Sequence, residues 1–204
     1  SCGGSTVSGG YYNTSSDYYS TVSGGIYNTS SGYSSTVSGG YCNTSSGQYS
    51  TVGGGYCNAT SGGGGNTVGG GSSNTSSGKY FSTVSGGLYN TSSCYYSTIG
   101  GGQLNTSNGC YSTISGGRSN TSSNYGSTVS GGVQNTSIGL YSSVLGGSGN
   151  TVTNDCSFII GNSIVSDRTC STFVNNLSIM NIPTSSAGLP TGSVYSDSCV
   201  LKIV

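Results

Sequence analysis

A fifteen-residue repeat constrains this chain more than any other feature. Between residues 5 and 160 the sequence returns eleven times to Ser-Thr-Val/Ile-Ser/Gly-Gly-Gly, then two variable residues and Asn-Thr-Ser-Ser. The phrase begins at Ser5, Ser20, Ser35, Ser50, Asn66, Ser82, Ser97, Ser112, Ser127, Ser142 and Ser157. A repeat this short cannot hold a helical hairpin or a propeller blade. We therefore expect an all-β fold, a β-solenoid (β-roll or β-helix) of about ten fifteen-residue coils.

One β-branched apolar residue recurs in the third slot of every repeat, with Ser, Thr or Gly beside it. This alternation is typical of a strand with one buried face. The Gly pair that follows suits a sharp corner. The predicted core column is Val7, Val22, Val37, Val52, Val68, Val84, Ile99, Ile114, Val129, Val144 and Ile159.

From residue 157 onward the period weakens and apolar residues become dense. An open last coil presents unpaired strand edges, so solenoid ends need a cap. We expect residues 1–156 to form the repeat solenoid and residues 157–204 to form a short β-rich cap or assembly segment. Within that cap, residues 194–204 read as a hairpin.

The composition argues against catalysis and against several kinds of partner. Of 204 residues, 4% are charged and none is His, so general acid and base groups are scarce. The formal net charge is zero, which argues against nucleic acid and anionic membranes. We expect no enzyme activity, no cofactor, no metal and no membrane insertion.

A column of Asn residues lies in Asn-x-Ser/Thr motifs, which are acceptors for N-linked glycans in a secretory pathway. The alternative is a ladder of stacked Asn side chains that hydrogen-bond along the solenoid. The sequence leaves both open. The candidate acceptors are Asn13, Asn28, Asn43, Asn58, Asn74, Asn90, Asn105, Asn120 and Asn135, with Asn176 in the tail.

Eight cysteines in a weakly cored chain indicate covalent stapling. Cys42 and Cys57 occupy the same slot of successive coils, about 4.8 Å apart, which is within disulfide range. That pair is the first candidate. Cys94 and Cys110 lie in neighbouring coils one slot apart and are the second candidate.

Tyr residues gather beside the Gly corner and at the end of each coil. Aromatic columns of this kind bind sugar rings, or they stack on one another and cover the corners. The candidates for glycan stacking are Tyr11, Tyr12, Tyr27, Tyr41, Tyr56 and Tyr89.

The phrase Tyr-Ser-Thr-Val-Gly-Gly-Gly at residues 49–55 resembles the YadA-like head repeats of trimeric autotransporter adhesins. It is also similar to repeats in phage and large-virus tail fibres, and the likeness covers about three quarters of the chain. Residues 172–179 and 182–204 resemble the end of such fibre proteins. The resemblance implies left-handed β-rolls packed as trimers.

These features lead to one expected function and two alternatives. The chain is expected to be a structural fibre on a virion or in the extracellular space, with copies of itself as partners in a trimer or an end-to-end filament. The first alternative is an adhesin whose Tyr columns bind cell-surface glycans. The second is an ice-binding solenoid, because Thr6 and Ser8 would point outward beside Val7 in a repeated flat array.

Overall fold

The computed structural model describes residues 3–178, 182–191, 193–197 and 200–203. Over these residues the chain is all-β and forms a solenoid of about eleven turns. Two parallel sheets run along the solenoid, one of twelve strands and one of ten, and a separate antiparallel hairpin follows.

The larger sheet, sheet A, takes one strand from each coil. Its strands are β1 (Thr6–Val7), β3 (Thr21–Val22), β5 (Thr36–Val37), β7 (Thr51–Val52), β9 (Thr67–Val68), β11 (Thr83–Val84), β13 (Thr98–Ile99), β15 (Thr113–Ile114), β17 (Thr128–Val129), β19 (Ser143–Ser148), β21 (Phe158–Asn162) and β22 (Thr172–Val174).

The smaller sheet, sheet B, lies on the opposite side of each coil. Its strands are β2 (Thr14–Ser15), β4 (Thr29–Ser30), β6 (Thr44–Ser45), β8 (Ala59–Thr60), β10 (Thr75–Ser76), β12 (Thr91–Ser92), β14 (Thr106–Ser107), β16 (Thr121–Ser122), β18 (Thr136–Ser137) and β20 (Thr151–Val152). The hairpin consists of β23 (Val194–Asp197) and β24 (Val200–Ile203).

Each residue pairs with the residue one coil further along the chain. Thr21 is opposite Thr36 and Val22 is opposite Val37, and this parallel register repeats along the solenoid. We call the turn from a sheet A strand to the next sheet B strand the first edge, and the return turn the second edge. The two sixteen-residue coils place their extra residue on the second edge, at residues 61–65 and 77–81.

Both edges turn through a left-handed backbone position that is seldom glycine. Tyr27 has φ of 58° on the first edge and Ser34 has φ of 50° on the second. The neighbouring coils hold these residues in place, since Tyr27 N donates to Tyr11 O at 3.0 Å and Ser34 N donates to Tyr18 O at 2.9 Å. Left-handed conformations disfavour residues with a Cβ, so hydrogen bonds between coils stabilise a turn that the isolated peptide would avoid.

The apolar core is a single file of side chains. From Val22 to Ile159 every member of the predicted column is fully buried, and Val152 joins them from sheet B. Val7 differs from the prediction because it is 44% exposed. Its strand is the outermost of sheet A, so a coil covers Val7 on one side alone.

The rest of the interior is polar and fully paired. In a typical coil, Ser30 Oγ and Ser35 Oγ lie 2.7 Å apart and form a hydrogen bond across the space between the sheets. Within the described part of the chain, every buried side-chain nitrogen or oxygen has a hydrogen-bond partner. Because unpaired buried polar groups are costly, this pairing allows a thin solenoid to close around Ser and Asn.

The coils continue past the expected boundary at residue 156. Strands β21 and β22 extend sheet A, and Ile164 and Phe173 pack against the apolar core. The Ser and Asn pattern is lost at this end of the solenoid, and these apolar side chains pack in the interior instead. The expected C-terminal hairpin is present as β23 and β24.

Candidate functional site

The Asn column forms a continuous hydrogen-bonded ladder inside the first edge. Asn28 Nδ2 donates to Gly24 O at 3.0 Å and to Gly40 O of the next coil at 2.8 Å. Asn28 Oδ1 accepts from the backbone nitrogen of Asn43 at 2.9 Å. Each Asn therefore ties its own corner to the following coil. The same pattern is found at Asn13, Asn28, Asn43, Asn58, Asn74, Asn90, Asn105, Asn120, Asn135 and Asn150.

The second Gly of each corner leaves the space that the Asn amide needs. At Gly117, with φ of 90°, an added Cβ would collide with Gly132 O and would lie 2.6 Å from Asn120 Nδ2. A Cβ added at the preceding Gly116 would meet nothing within 4 Å. The Gly and Asn of the repeat therefore act together. The Gly lets the backbones of two adjacent coils approach closely, and the Asn amide forms hydrogen bonds to both of them.

This geometry corrects the glycosylation prediction for Asn13, Asn28, Asn43, Asn58, Asn74, Asn90, Asn105, Asn120 and Asn135. The members from Asn28 onward are fully buried. A glycan would be attached at Nδ2, which already donates to two backbone carbonyls in each coil. The ladder, which the sequence left as the alternative, is the arrangement present. Asn176 is exposed, and its glycosylation stays a prediction.

The disulfide joins the second predicted cysteine pair and not the first. A disulfide joins Cys94 and Cys110, whose Cα atoms are 4.8 Å apart, so the second candidate is the bonded pair. Cys42 and Cys57 are free thiols. Burial raises the pKa of the Cys57 thiol, and its hydrogen bond to Cys42 raises that pKa further. Two residues that lie one slot apart in neighbouring coils can therefore have Cα atoms as close as two residues in the same slot. Cys2 and Cys199 lie outside the described residues.

The tyrosines of the first edge stack mainly on one another. The rings of Tyr12 and Tyr27 are 5.2 Å apart and nearly parallel, and those of Tyr41 and Tyr56 are 5.4 Å apart and nearly parallel. Edge contacts join the rest of the column, Tyr11 to Tyr12 and Tyr27 to Tyr41. Each stacked pair covers one face of both rings, while all five side chains stay exposed to solvent.

Tyr89 lies apart from that column. The slots before and after it on the first edge hold Ser73 and Leu104, and the Tyr89 ring is 55% exposed. Of the six residues predicted to stack on glycans, Tyr89 alone has no aromatic neighbour within the described part of the chain.

The second edge holds a longer aromatic column that the sequence also indicated. Ring centroids along it are 5.1 to 6.5 Å apart, with a gap at Gly64 and Gly65. Aromatic pairs at such separations each contribute about 0.5 to 1.5 kcal/mol beyond burial. The column members are Tyr18, Tyr19, Tyr33, Tyr49, Tyr80, Phe81, Tyr95, Tyr96, Tyr111, Tyr125 and Tyr141.

Both flat sides of the solenoid present a file of threonines at one per coil. The sequence indicated the file on sheet A, which contains Thr6, Thr21, Thr36, Thr51, Thr67, Thr83, Thr98, Thr113 and Thr128. It missed the file on sheet B, although the repeated Asn-Thr-Ser phrase carries the signal once Asn and Ser are known to point inward. That file contains Thr14, Thr29, Thr44, Thr75, Thr91, Thr106, Thr121, Thr136 and Thr151, with Ala59 in one place.

Acidic and metal-ligating side chains are dispersed over the described part of the chain. No group of three or more His, Cys, Asp or Glu side chains comes together among them. Asp167 and Arg168 form an exposed ion pair at 2.8 Å, and the guanidinium hydrogen bond lowers the pKa of Asp167. In the same part of the chain, no helix is long and apolar enough to cross a membrane.

Comparison with known proteins places the chain in no family: no family model matches the sequence, and no curated protein matches it. The repeats, edges and faces described above are therefore the basis for the functional proposals.

Proposed function

We propose that the chain is a structural fibre protein of a virion surface or the extracellular space. The observation that carries this proposal is the Asn ladder, which ties all the regular coils into one continuous column. Strands in neighbouring coils are about 4.8 Å apart, so eleven coils make a rod on the order of 50 Å long. A long, uniform rod of this kind suits a spacer or shaft.

The surface of the rod is consistent with an exposed, load-bearing role. Its flat sides carry neutral Thr and Ser, and its edges carry stacked Tyr. The Cys94–Cys110 disulfide supports a location outside the reducing cytosol, because such bonds persist in oxidising compartments.

Copies of the chain itself are the proposed partners. Among the described residues, the outermost strands of sheet A are β1 and β22, and strands in that position favour pairing with another chain. Val7 at one end is exposed and offers apolar surface to a second copy. The likeness to adhesin heads favours a trimer, and the strand edges favour end-to-end stacking.

Two measurements test this function. Gold-labelled antibodies against the purified chain should decorate fibres that project from intact source particles or cells in electron micrographs. Sedimentation equilibrium of the purified protein should give a trimer or a larger assembly. Label confined to the interior of permeabilised particles, together with a monomer at all concentrations, would refute the proposal.

Ice binding is a second candidate because the Thr files make both sides flat and regular. The outward Thr hydroxyls on sheet B lie one per coil, about 4.8 Å apart. The test is thermal hysteresis of the purified protein, compared with the variant Thr106→Tyr. Ice binding predicts a freezing-point gap that the variant reduces, whereas the same change on the second edge, at Ser93, should have no effect. Absence of a gap in the unmodified protein would reject this candidate.

A further inference from the structure

The six cysteines that the structure describes fall into three pairs, each in neighbouring coils. One pair is the Cys94–Cys110 disulfide and another is the free thiol pair of Cys42 and Cys57. The third pair, Cys156 and Cys170, was not anticipated from sequence. Its spacing is fourteen residues, shorter than the repeat, and it lies where the period weakens.

Cys156 and Cys170 occupy the same left-handed position of the second edge. Their φ angles are 53° and 52°. Cys156 N donates to Leu140 O at 2.8 Å, and Cys170 N donates to Asp155 O at 3.0 Å, so the two residues follow the same register one coil apart. Residues in the same slot of adjacent parallel strands have Cα atoms about 4.8 Å apart, within the usual disulfide range of about 4.4 to 6.8 Å.

The two thiols are also accessible and close to each other. Both residues are exposed, so a small oxidant in solvent reaches them. Because they occupy the same slot of adjacent coils, both side chains start from the same edge of the solenoid. Reaction therefore needs rotation of side chains and no movement of the coils.

We propose that Cys156 and Cys170 form a cross-coil disulfide in the oxidised protein. One thiolate attacks a small-molecule disulfide such as oxidised glutathione, giving a mixed disulfide and one released thiolate. The second cysteine, as its thiolate, then attacks the mixed disulfide and displaces the other glutathione. The two cysteine protons pass to solvent and the two electrons reduce the small disulfide.

This bond would fasten the last coil of the solenoid to the one before it. The coil that ends at β22 contains Ile164 and Phe173, which are partly buried, and it lacks the regular Asn and Ser pattern. Its strand β22 is also the last strand of sheet A in the described part of the chain. A covalent link there would prevent this coil from opening before the others.

Peptide mapping of the full chain tests the proposal. The reduced protein is incubated with excess oxidised glutathione, remaining thiols are blocked with N-ethylmaleimide, and the unfolded product is digested with chymotrypsin. Cleavage after Phe158 separates the two cysteines, so their bond would appear as a peptide from residues 146–158 joined to one from residues 159–173. The expected result is this linked peptide as the main product from both cysteines.

Two variants keep the result specific. Cys156→Ser should abolish the linked peptide and leave Cys170 as the mixed disulfide with glutathione or as the maleimide adduct, whereas Cys42→Ser should leave the linked peptide unchanged. Because both cysteines are exposed, neither variant should prevent folding, which circular dichroism verifies. The proposal fails if Cys156 and Cys170 are recovered as maleimide adducts, which would show that they stayed free thiols during the oxidation. It also fails if either is found joined to Cys2, Cys199 or another molecule.

Discussion

Replacement of one ladder residue, Asn105→Ala, should destabilise the solenoid at its middle. Asn105 Nδ2 donates to Gly101 O at 3.0 Å and to Gly117 O at 2.9 Å, and Oδ1 accepts from Asn120 N at 3.0 Å. The side chain is fully buried. Its removal leaves Gly101 O and Asn120 N without their partners, whereas Gly117 O keeps its bond from Gln103 N.

The size of the effect follows from those two groups. Each buried polar group that loses its partner costs about 1 to 3 kcal/mol, so the free energy of unfolding should fall by roughly 2 to 6 kcal/mol. A matched control is Asn108→Ala in the same coil, where the side chain is exposed and lies outside the ladder. Surface changes of that kind stay within about 0.5 kcal/mol.

The assay is native-state hydrogen exchange, which reports opening of individual coils where unfolding of a repeat protein is not two-state. Asn105→Ala should speed exchange of the amides in residues 97–127, and guanidinium unfolding followed by circular dichroism should shift to lower denaturant. Equal protection in Asn105→Ala and Asn108→Ala would refute the role that we assign to the ladder.

A charged variant adds a pH dependence with a definite sign. Asn105→Asp puts a carboxylate beside two carbonyl oxygens, so burial and repulsion raise its folded pKa above the ordinary value of about 3.9. Its carboxyl is tolerated best when protonated. Stability of this variant relative to the unmodified protein should therefore be greatest below about pH 4 and be lost as the pH rises through the folded pKa. A pH-independent difference would contradict this.

Three further predictions follow from single positions. Gly117→Ala should prevent folding or lower stability far more than Gly116→Ala, because the new Cβ collides with the next coil at the first position and meets open space at the second; comparable melting temperatures would contradict this. Ile99→Ala should lower the free energy of unfolding by about 2 to 5 kcal/mol, while Thr98→Ala on the outer face should have little effect, as measured by guanidinium unfolding. Partial desolvation by the surrounding edge and the neighbouring Cys170 thiol raise the pKa of the exposed Cys156 thiol. Less thiolate is then present at pH 8, so iodoacetamide should label the folded reduced protein more slowly than the urea-unfolded protein, and equal rates would contradict this.

The coil itself was predictable because the register is strict. A β-branched residue at one slot of every repeat, such as Val52 or Ile99, indicates one inward position per coil, and the structure buries it. Val7 has the predicted residue type but is exposed, because burial requires a neighbouring coil on each side. The repeat alone does not show which coils have two neighbours. The strand pairing likewise follows from the period alone.

The role of Asn could not be settled from the sequence because one motif serves two purposes. Asn-Thr-Ser describes a glycan acceptor, and it also describes an inward Asn, an outward Thr and an inward Ser. The deciding fact is the position of Gly117 against Asn120, where the absence of a Cβ admits the amide. Gly117 and Asn120 lie in the same coil, but both also meet Gly132 O of the next coil, so the arrangement becomes visible when the coils are stacked.

The predicted order of the cysteine pairs was wrong for a related reason. Equal slots placed Cys42 with Cys57, but Cys94 and Cys110 lie equally close across a diagonal. Cys156 and Cys170 were hidden because the last coil has fourteen residues and the period was already weak. In each case the edge geometry, which the sequence pattern describes least well, decided the contact.

Small-angle X-ray scattering of the purified chain tests most directly whether this Gly- and Ser-rich sequence forms a rod. A solenoid should give a constant cross-section along a particle at least about 50 Å long, or a multiple of that length if copies stack end to end. A disordered chain of this length would instead have a radius of gyration of about 49 Å and no defined cross-section. That second result would contradict the solenoid and the structural function that rests on it.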